Sequence, residues 1–142
     1  MDYIYQDKYV YFKKEGNGSP IILLHGWGVD SSCFDDLMDS LKEKYQVFAI
    51  DLPGFGKSVE PSDYYVLEDY VGLVEQFVND KKLANPIILG HSFGGRIAIR
   101  YASRHQVSKL ILVDSAGMKP KNYVKVKLKI RSRKKYLRRI FC

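Results

Sequence analysis

The sequence predicts an α/β fold: a predominantly parallel sheet with helices on both faces, preceded by an antiparallel hairpin. Three observations carry this expectation. Short runs such as Ile21 to Leu24, "QVFAI", "PIILG" and "KLILVD" are apolar at nearly every position, as strands buried on both faces are. Amphipathic segments of about 10 to 17 residues lie between them, and parallel neighbours require crossover connections of that kind. The N-terminal "DYIYQDKYVYFKKEG" is rich in Tyr, Val and Ile with a polar break at Gln6 to Lys8, which suits a hairpin.

After the hairpin, the turn-forming "GNGSP" leads into the strand at 21–24 and then into the loop "HGWGVDSS". In "SSCFDDLMDSLKEKY", Phe34, Leu37, Met38 and Leu41 fall at helical spacing, with Ser31 or Ser32 as the expected cap. The strand "QVFAI" runs into the turn-rich "DLPGFGKSVEPSD". Residues 66 to 82 then place Leu67, Tyr70, Val71, Val74 and Val78 on one helical face. A third unit repeats the pattern, with "PIILG" as strand, "FGGRIAIRYASRH" as helix and "KLILVD" as strand.

The last segment, "KNYVKVKLKIRSRKKYLRRIFC", fits two periods. Val124, Val126, Leu128 and Ile130 alternate with basic residues as in a strand, whereas Val126, Ile130, Leu137 and Phe141 fit a helical stripe. The preference of Lys and Arg for helices tips the reading to helix.

At 142 residues, 46% hydrophobic and 27% charged, the chain has the composition of one ordinary globular domain. No apolar stretch approaches the roughly 18 residues of a membrane span, and the N-terminus lacks the basic start and apolar centre of a signal peptide. A cytoplasmic location is therefore expected. Cys33 and Cys142 are the two cysteines, too few and too scattered for a disulfide framework or a zinc site. No metal or organic cofactor is implied.

The net charge of +7 is uneven. Residues 1–118 hold 12 Lys/Arg against 16 Asp/Glu, a net of −4, and residues 119–142 hold 11 Lys/Arg and no acid, a net of +11. The chain is accordingly divided into a core, 1–118, and a basic segment, 119–142. Such asymmetry suits either a solvated charged helix or a surface for acidic lipid or nucleic acid.

Gly90-His91-Ser92-Phe93-Gly94 matches G-x-S-x-G between a predicted strand and a predicted helix, the context in which that motif places a nucleophile. A sharp strand-to-helix turn strains the serine backbone, and Gly90 and Gly94 supply space where side chains would collide with neighbouring backbone. The helix N-terminus beside Ser92 offers N–H groups to developing negative charge. In "LLHGWG", the backbone N–H of Trp27 is positioned by sequence to pair with that of Phe93 as an oxyanion hole. The structural alternative is a Gly-rich turn in which Ser92 merely caps the helix. "GFGKS" is not a phosphate loop, because Asp51 stands where that motif requires Gly; Asp51 is expected to organise its own turn.

The series "IILLHGWG", "VFAIDLPGFGKS", "IILGHSFGGRIAI" and "KLILVDSAG", in that order and spacing, resembles the first half of an α/β-hydrolase of the serine-nucleophile type. The resemblance implies hydrolysis of an ester, thioester or similar acyl bond of a small-molecule substrate, with Ser92 as nucleophile. It also implies a structural role for His25 and Gly26 beside the oxyanion loop. His91 should project away from the nucleophile, and His105 is expected in a surface loop. In this fold the triad runs Ser, then Asp or Glu, then His. Asp114 is the sole acid after Ser92, and no histidine follows it, so Asp114 is either the orienting acid or structural, and the base is missing unless His25 or His105 acts by an arrangement foreign to the family.

Residues 119–142 resemble the start of a cap domain. The expectation is thus a truncated core, inactive alone, with the "KLILVD" strand as an exposed edge open to self-association. No nucleic-acid partner is expected on this reading. The rival reading is a non-catalytic binding protein whose basic tail contacts acidic lipid or nucleic acid.

Overall fold

A computed structural model describes residues 1–116; the helix expected within the basic segment, and that segment's cap-like character, lie outside the described residues. Six strands form one sheet: β1 (Asp2–Tyr5), β2 (Lys8–Glu15), β3 (Ser19–Leu24), β4 (Tyr45–Ile50), β5 (Ile87–His91) and β6 (Lys109–Val113). The helices are α1 (Asp35–Leu41), α2 (Leu67–Asp80) and α3 (Phe93–Ala102), and a 3-10 turn, Ser31–Phe34, leads into α1. The strand order is β1-β2-β4-β3-β5-β6. β1 and β2 form the antiparallel hairpin, β2 pairs antiparallel with β4, and β4, β3, β5 and β6 run parallel.

Burial on both faces explains the unbroken apolar runs. Ile21 and Leu23 join Val47, Ala49, Ile87 and Leu89 on one face, under Phe34 and Met38 at α1. Ile22 and Leu24 point the other way with Phe48, Ile50 and Ile88, under the inner faces of α2 and α3. Side chains alternate along a strand, so a sheet covered on both sides tolerates polar residues on neither. Each of the four residues from Ile21 to Leu24 is at most 2% exposed, and each such burial contributes about 1.5–3 kcal/mol.

The hairpin turn places Gln6 and Asp7 at φ 49° and 59°, the left-handed pair that a two-residue turn between twisted strands demands. Neither Ser31 nor Ser32 caps α1, whose N-cap is Phe34 with no side-chain cap; Asp30 caps the 3-10 turn before it, its side chain accepting from the Ser32 N–H at 2.8 Å. Ser31 is buried instead, its own N–H directed to Asp51 Oδ1 at 2.7 Å. The parallel strands all end on one side of the sheet, where β3 and β4 release loops and β5 turns directly into α3. Among the described residues β6 is an edge strand, with Leu110 and Ile111 each 38% exposed.

Phe77 of α2 ties the hairpin to the sheet, its ring meeting Tyr3, Phe12 and Phe48 edge-on at 5.1, 5.1 and 5.5 Å. Phe77→Ala should cost about 3–5 kcal/mol, read as a large fall in the urea midpoint. Tyr64→Ala, at a fully exposed position, should change stability by less than about 0.5 kcal/mol.

Candidate active site

The link between β5 and α3 is one residue. Ser92 follows His91 and precedes Phe93, and its φ of 50° and ψ of −110° lie in a sparsely populated region that costs about 1–3 kcal/mol. The Ser92 hydroxyl makes no capping hydrogen bond to α3. Phe93 opens the helix, where first-turn N–H groups have no intrahelical acceptor.

The turn is tight enough to exclude side chains on either flank. A Cβ at Gly90 would lie 2.6 Å from Gly94 C and Gly95 Cα, and one at Gly94 would lie 2.6 Å from His25 O and closer still to Leu24 O. Gly94 N–H donates to His25 O at 3.1 Å, so the head of α3 rests directly on the end of β3. The loop after β3 passes beside the serine: a Cβ at Gly26 would be 3.3 Å from Ser92 Cβ and 3.0 Å from His91 Nδ1. Trp27, the next residue, is 69% exposed.

His25 is fully buried, and both ring nitrogens are engaged. Leu52 N–H donates to Nε2 at 2.9 Å, so Nε2 is unprotonated, and Nδ1 carries the proton that it donates to Gly26 O at 2.7 Å. Burial pushes the imidazole below its ordinary range, against the Gly26 hydrogen bond and the attraction of Asp51 and Asp30. The ring therefore joins the loops after β3 and β4 as a neutral strut.

Asp51 does the same work from the other side. It is 2% exposed and accepts from Ser31 N–H at 2.7 Å through Oδ1 and from Lys57 N–H at 2.8 Å through Oδ2. Its carbonyl accepts from Ser58 Oγ at 2.6 Å, and Ser58 Oγ accepts from Tyr11 N–H at 2.9 Å. The "GFGKS" turn thus spends the Lys57 N–H on an internal carboxyl group, and Lys57 Nζ sits over the Tyr11 ring at 4.6 Å.

His105 lies beyond the far end of α3, some 15 Å along the axis of a ten-residue helix. There it stacks on Tyr101 and meets Glu75 Oε1 at 2.7 Å. Asp114 follows β6; His91 pairs in register with Val113, so Asp114 comes level with Ser92 one strand away, at φ 43° and exposed. Cys33 is half-buried in the 3-10 turn. Among the described residues no group of three or more His, Cys, Asp or Glu gathers where a metal could be held. No helix among them is long and apolar enough to cross a membrane.

An aromatic arc beside Ser92 was not anticipated from the sequence. Trp27 meets Phe55 and Phe93 edge-on at 4.9 and 5.5 Å, and Phe93 meets Tyr70 at 5.1 Å. The available signal was positional: Trp27, Phe55 and Phe93 each follow a strand end on the same side of the sheet.

This geometry has relatives. The family model described as alpha/beta hydrolase fold matches residues 19–136. The chain belongs to the α/β-hydrolase family. It is 39% identical over 106 residues to the AB hydrolase superfamily protein YisY of Bacillus subtilis (strain 168), covering 72% of this chain and 40% of that protein. It is also 39% identical over 103 residues to a probable serine hydrolase of Drosophila melanogaster, covering 69% and 31%. The esterase structure from Exiguobacterium antarcticum superimposes with a TM-score of 0.73 at 33% identity, covering 78% of this chain and 42% of that one. This α/β-hydrolase chain thus spans less than half the length of each of these relatives.

The neutral state of His25 has a pH signature. A folded-state pKa held below the unfolded value of about 6.5 means that the unfolded chain binds the proton more readily. His25 therefore contributes its full stability above about pH 6.5 and loses it as the pH falls. Urea unfolding between about pH 7 and pH 5 should show a shallower stability loss in His25→Gln than in wild type. Equal slopes would mean that His25 does not titrate as a buried neutral ring.

Proposed function

We propose that Ser92 is the nucleophile of an acyl hydrolysis, acting on an ester, thioester or similar acyl bond of a small-molecule substrate. The observation that carries the reading is the Ser92 backbone: a strained single-residue turn, hemmed by Gly90 and Gly94, at the head of a helix whose hydroxyl cap it does not provide. That strain has no structural use as a cap, and strained residues concentrate where a side chain must be presented. Family membership, and relatives described as a serine hydrolase and an esterase, support the same chemistry.

In the proposed reaction Ser92 Oγ attacks the acyl carbon and loses its proton to a base. The N–H groups of Trp27 and Phe93 stabilise the resulting oxyanion. Collapse expels the alcohol or thiol, and water then releases the acid from the acyl-serine. The aromatic arc favours an apolar group on the substrate, since Trp27, Phe55, Phe93 and Tyr70 present apolar ring surface beside Ser92. Asp114, level with Ser92, is the acid proposed to orient the base.

Neither His25 nor His105 is placed to act as the base for Ser92. His25 has spent both nitrogens and His105 is at the opposite end of α3, while His91 adjoins Ser92 in the chain and the triad order of this fold calls for a histidine after the acid. No histidine follows Asp114 in this sequence. On this account the 142-residue chain holds a placed nucleophile without its activator.

Two measurements on the 142-residue chain test the proposal. A fluorophosphonate should modify Ser92 slowly and stoichiometrically, seen by intact mass and peptide mapping, and should leave Ser92→Ala unmodified. Turnover of an activated aryl ester should stay near background. Triad residues act as a unit, and losing one removes on the order of 10⁶ in turnover while leaving roughly 10³ over water. Labelling at another residue would refute Ser92 as nucleophile, and fast Ser92-dependent turnover would refute the absent base.

A further inference from the structure

We infer that the corner after β6, residues 114–116, is a positioning element for Ser92, and that the contact of Ser115 with Gly95 sets its seat. The inference rests on the reading of Ser92 as nucleophile, and it concerns the peptide groups on either side of that residue. Three hydrogen bonds converge on them. Ser92 N–H donates to Val113 O at 3.0 Å, and Ser92 O accepts from Gly95 N–H at 3.1 Å and from Ala116 N–H at 3.0 Å. One of the three belongs to the first turn of α3; the other two come from the end of β6 and the corner beyond it. The strained peptide is thus held from outside its own element.

Two features make the corner a defined shape. Asp114 adopts φ 43°, a left-handed conformation at a bend in the chain, and the Ala116 N–H meets Ser92 O just beyond it. Ser115 lies directly against the head of α3: a Cβ at Gly95 would fall 2.7 Å from Ser115 Cβ and nearer still to its Oγ. The Ser115 hydroxyl is buried and, among the described residues, has no hydrogen-bond partner. Its own bonding therefore does not explain why Ser115 sits there; the backbone bonds of its neighbours do. Gly95 lies within a helix, where Ala is the better helix former, so the contact with Ser115 is the reason for glycine at this position. Ser115 and Gly95 touch no reacting atom on this account. They act through the Ser92 peptide, whose placement fixes the direction of Oγ, and misplacement of about 1 Å at a reacting group can cost roughly 10²-fold in rate.

The test follows fluorophosphonate labelling of Ser92 in the 142-residue chain, with the maximal rate and the half-saturating concentration read separately, alongside amide hydrogen exchange at Ala116. Gly95→Ala should lower the maximal rate about tenfold or more, leave half-saturation within about twofold, and speed Ala116 exchange. Ser115→Gly added to Gly95→Ala removes the obstructing side chain and should restore both readouts to within about threefold of wild type. Ser115→Val crowds the same contact from the other side, and should reproduce the Gly95→Ala phenotype if that variant does not fold. A wild-type labelling rate in Gly95→Ala, or a double variant no faster than the single one, would overturn the inference. Failure of wild type itself to label at Ser92 would instead overturn the nucleophile assignment, while Ala116 exchange would still decide whether the corner contact holds the Ser92 peptide.

Discussion

The chain turns from a buried strand into a helix within a single residue, and Ser92 can hold φ 50° and ψ −110° only because its surroundings leave no other course. Its N–H is taken by β6 and its carbonyl by Gly95 and Ala116. Gly94, two residues on, sits so close to Leu24 O and His25 O that α3 bears on the end of β3. Relaxing the turn would require lifting the helix from the sheet, and the helix buries Ile97, Ala98 and Tyr101 in the same core that holds Phe77. The free energy of that core stabilises the strained residue.

The same close approach explains why the neighbouring loops are built on buried polar groups. Loops normally run over the surface, because buried backbone needs partners. Here the first residues of the loops after β3 and β4, 25–26 and 51–53, are buried, and two side chains supply the partners. His25 bridges Gly26 O and Leu52 N–H, and Asp51 receives the N–H groups of Ser31 and Lys57. Both side chains accept or donate to backbone rather than to each other, so each fixes a loop path. Preorganised loops of this kind are what an oxyanion hole requires, since its donors must be in place before charge develops.

Most of the architecture was legible in the sequence because burial on two faces removes ambiguity: an unbroken run such as Ile21 to Leu24 leaves no polar side to assign. The tight strand-to-helix turn at Ser92 was legible because Gly90 and Gly94 flank a serine at a change of period from strand to helix. Less was legible where tertiary contacts override local signals. Gln6 and Asp7 take left-handed conformations without Gly or Asn, so the turn is imposed by pairing of β1 with β2. No serine caps α1, which follows a 3-10 turn capped by Asp30, and the Ser31 N–H goes to Asp51, twenty residues on. The aromatic arc and the Ser115 contact join residues from separate strand ends, and no local pattern announces such meetings.

On the proposed reading Ser92 is a nucleophile presented by the fold without a histidine to activate it, and the pH dependence of Ser92 labelling discriminates between that state and an activated serine. A histidine base would make the labelling rate rise and level off around an inflection near its ordinary pKa of about 6.5. Without one, deprotonation of the hydroxyl depends on hydroxide. The labelling rate should then climb steadily from about pH 6 to pH 9 with no inflection near neutrality. A plateau above an inflection near pH 6.5–7 would contradict it, and would show that a histidine of this chain reaches Ser92 after all.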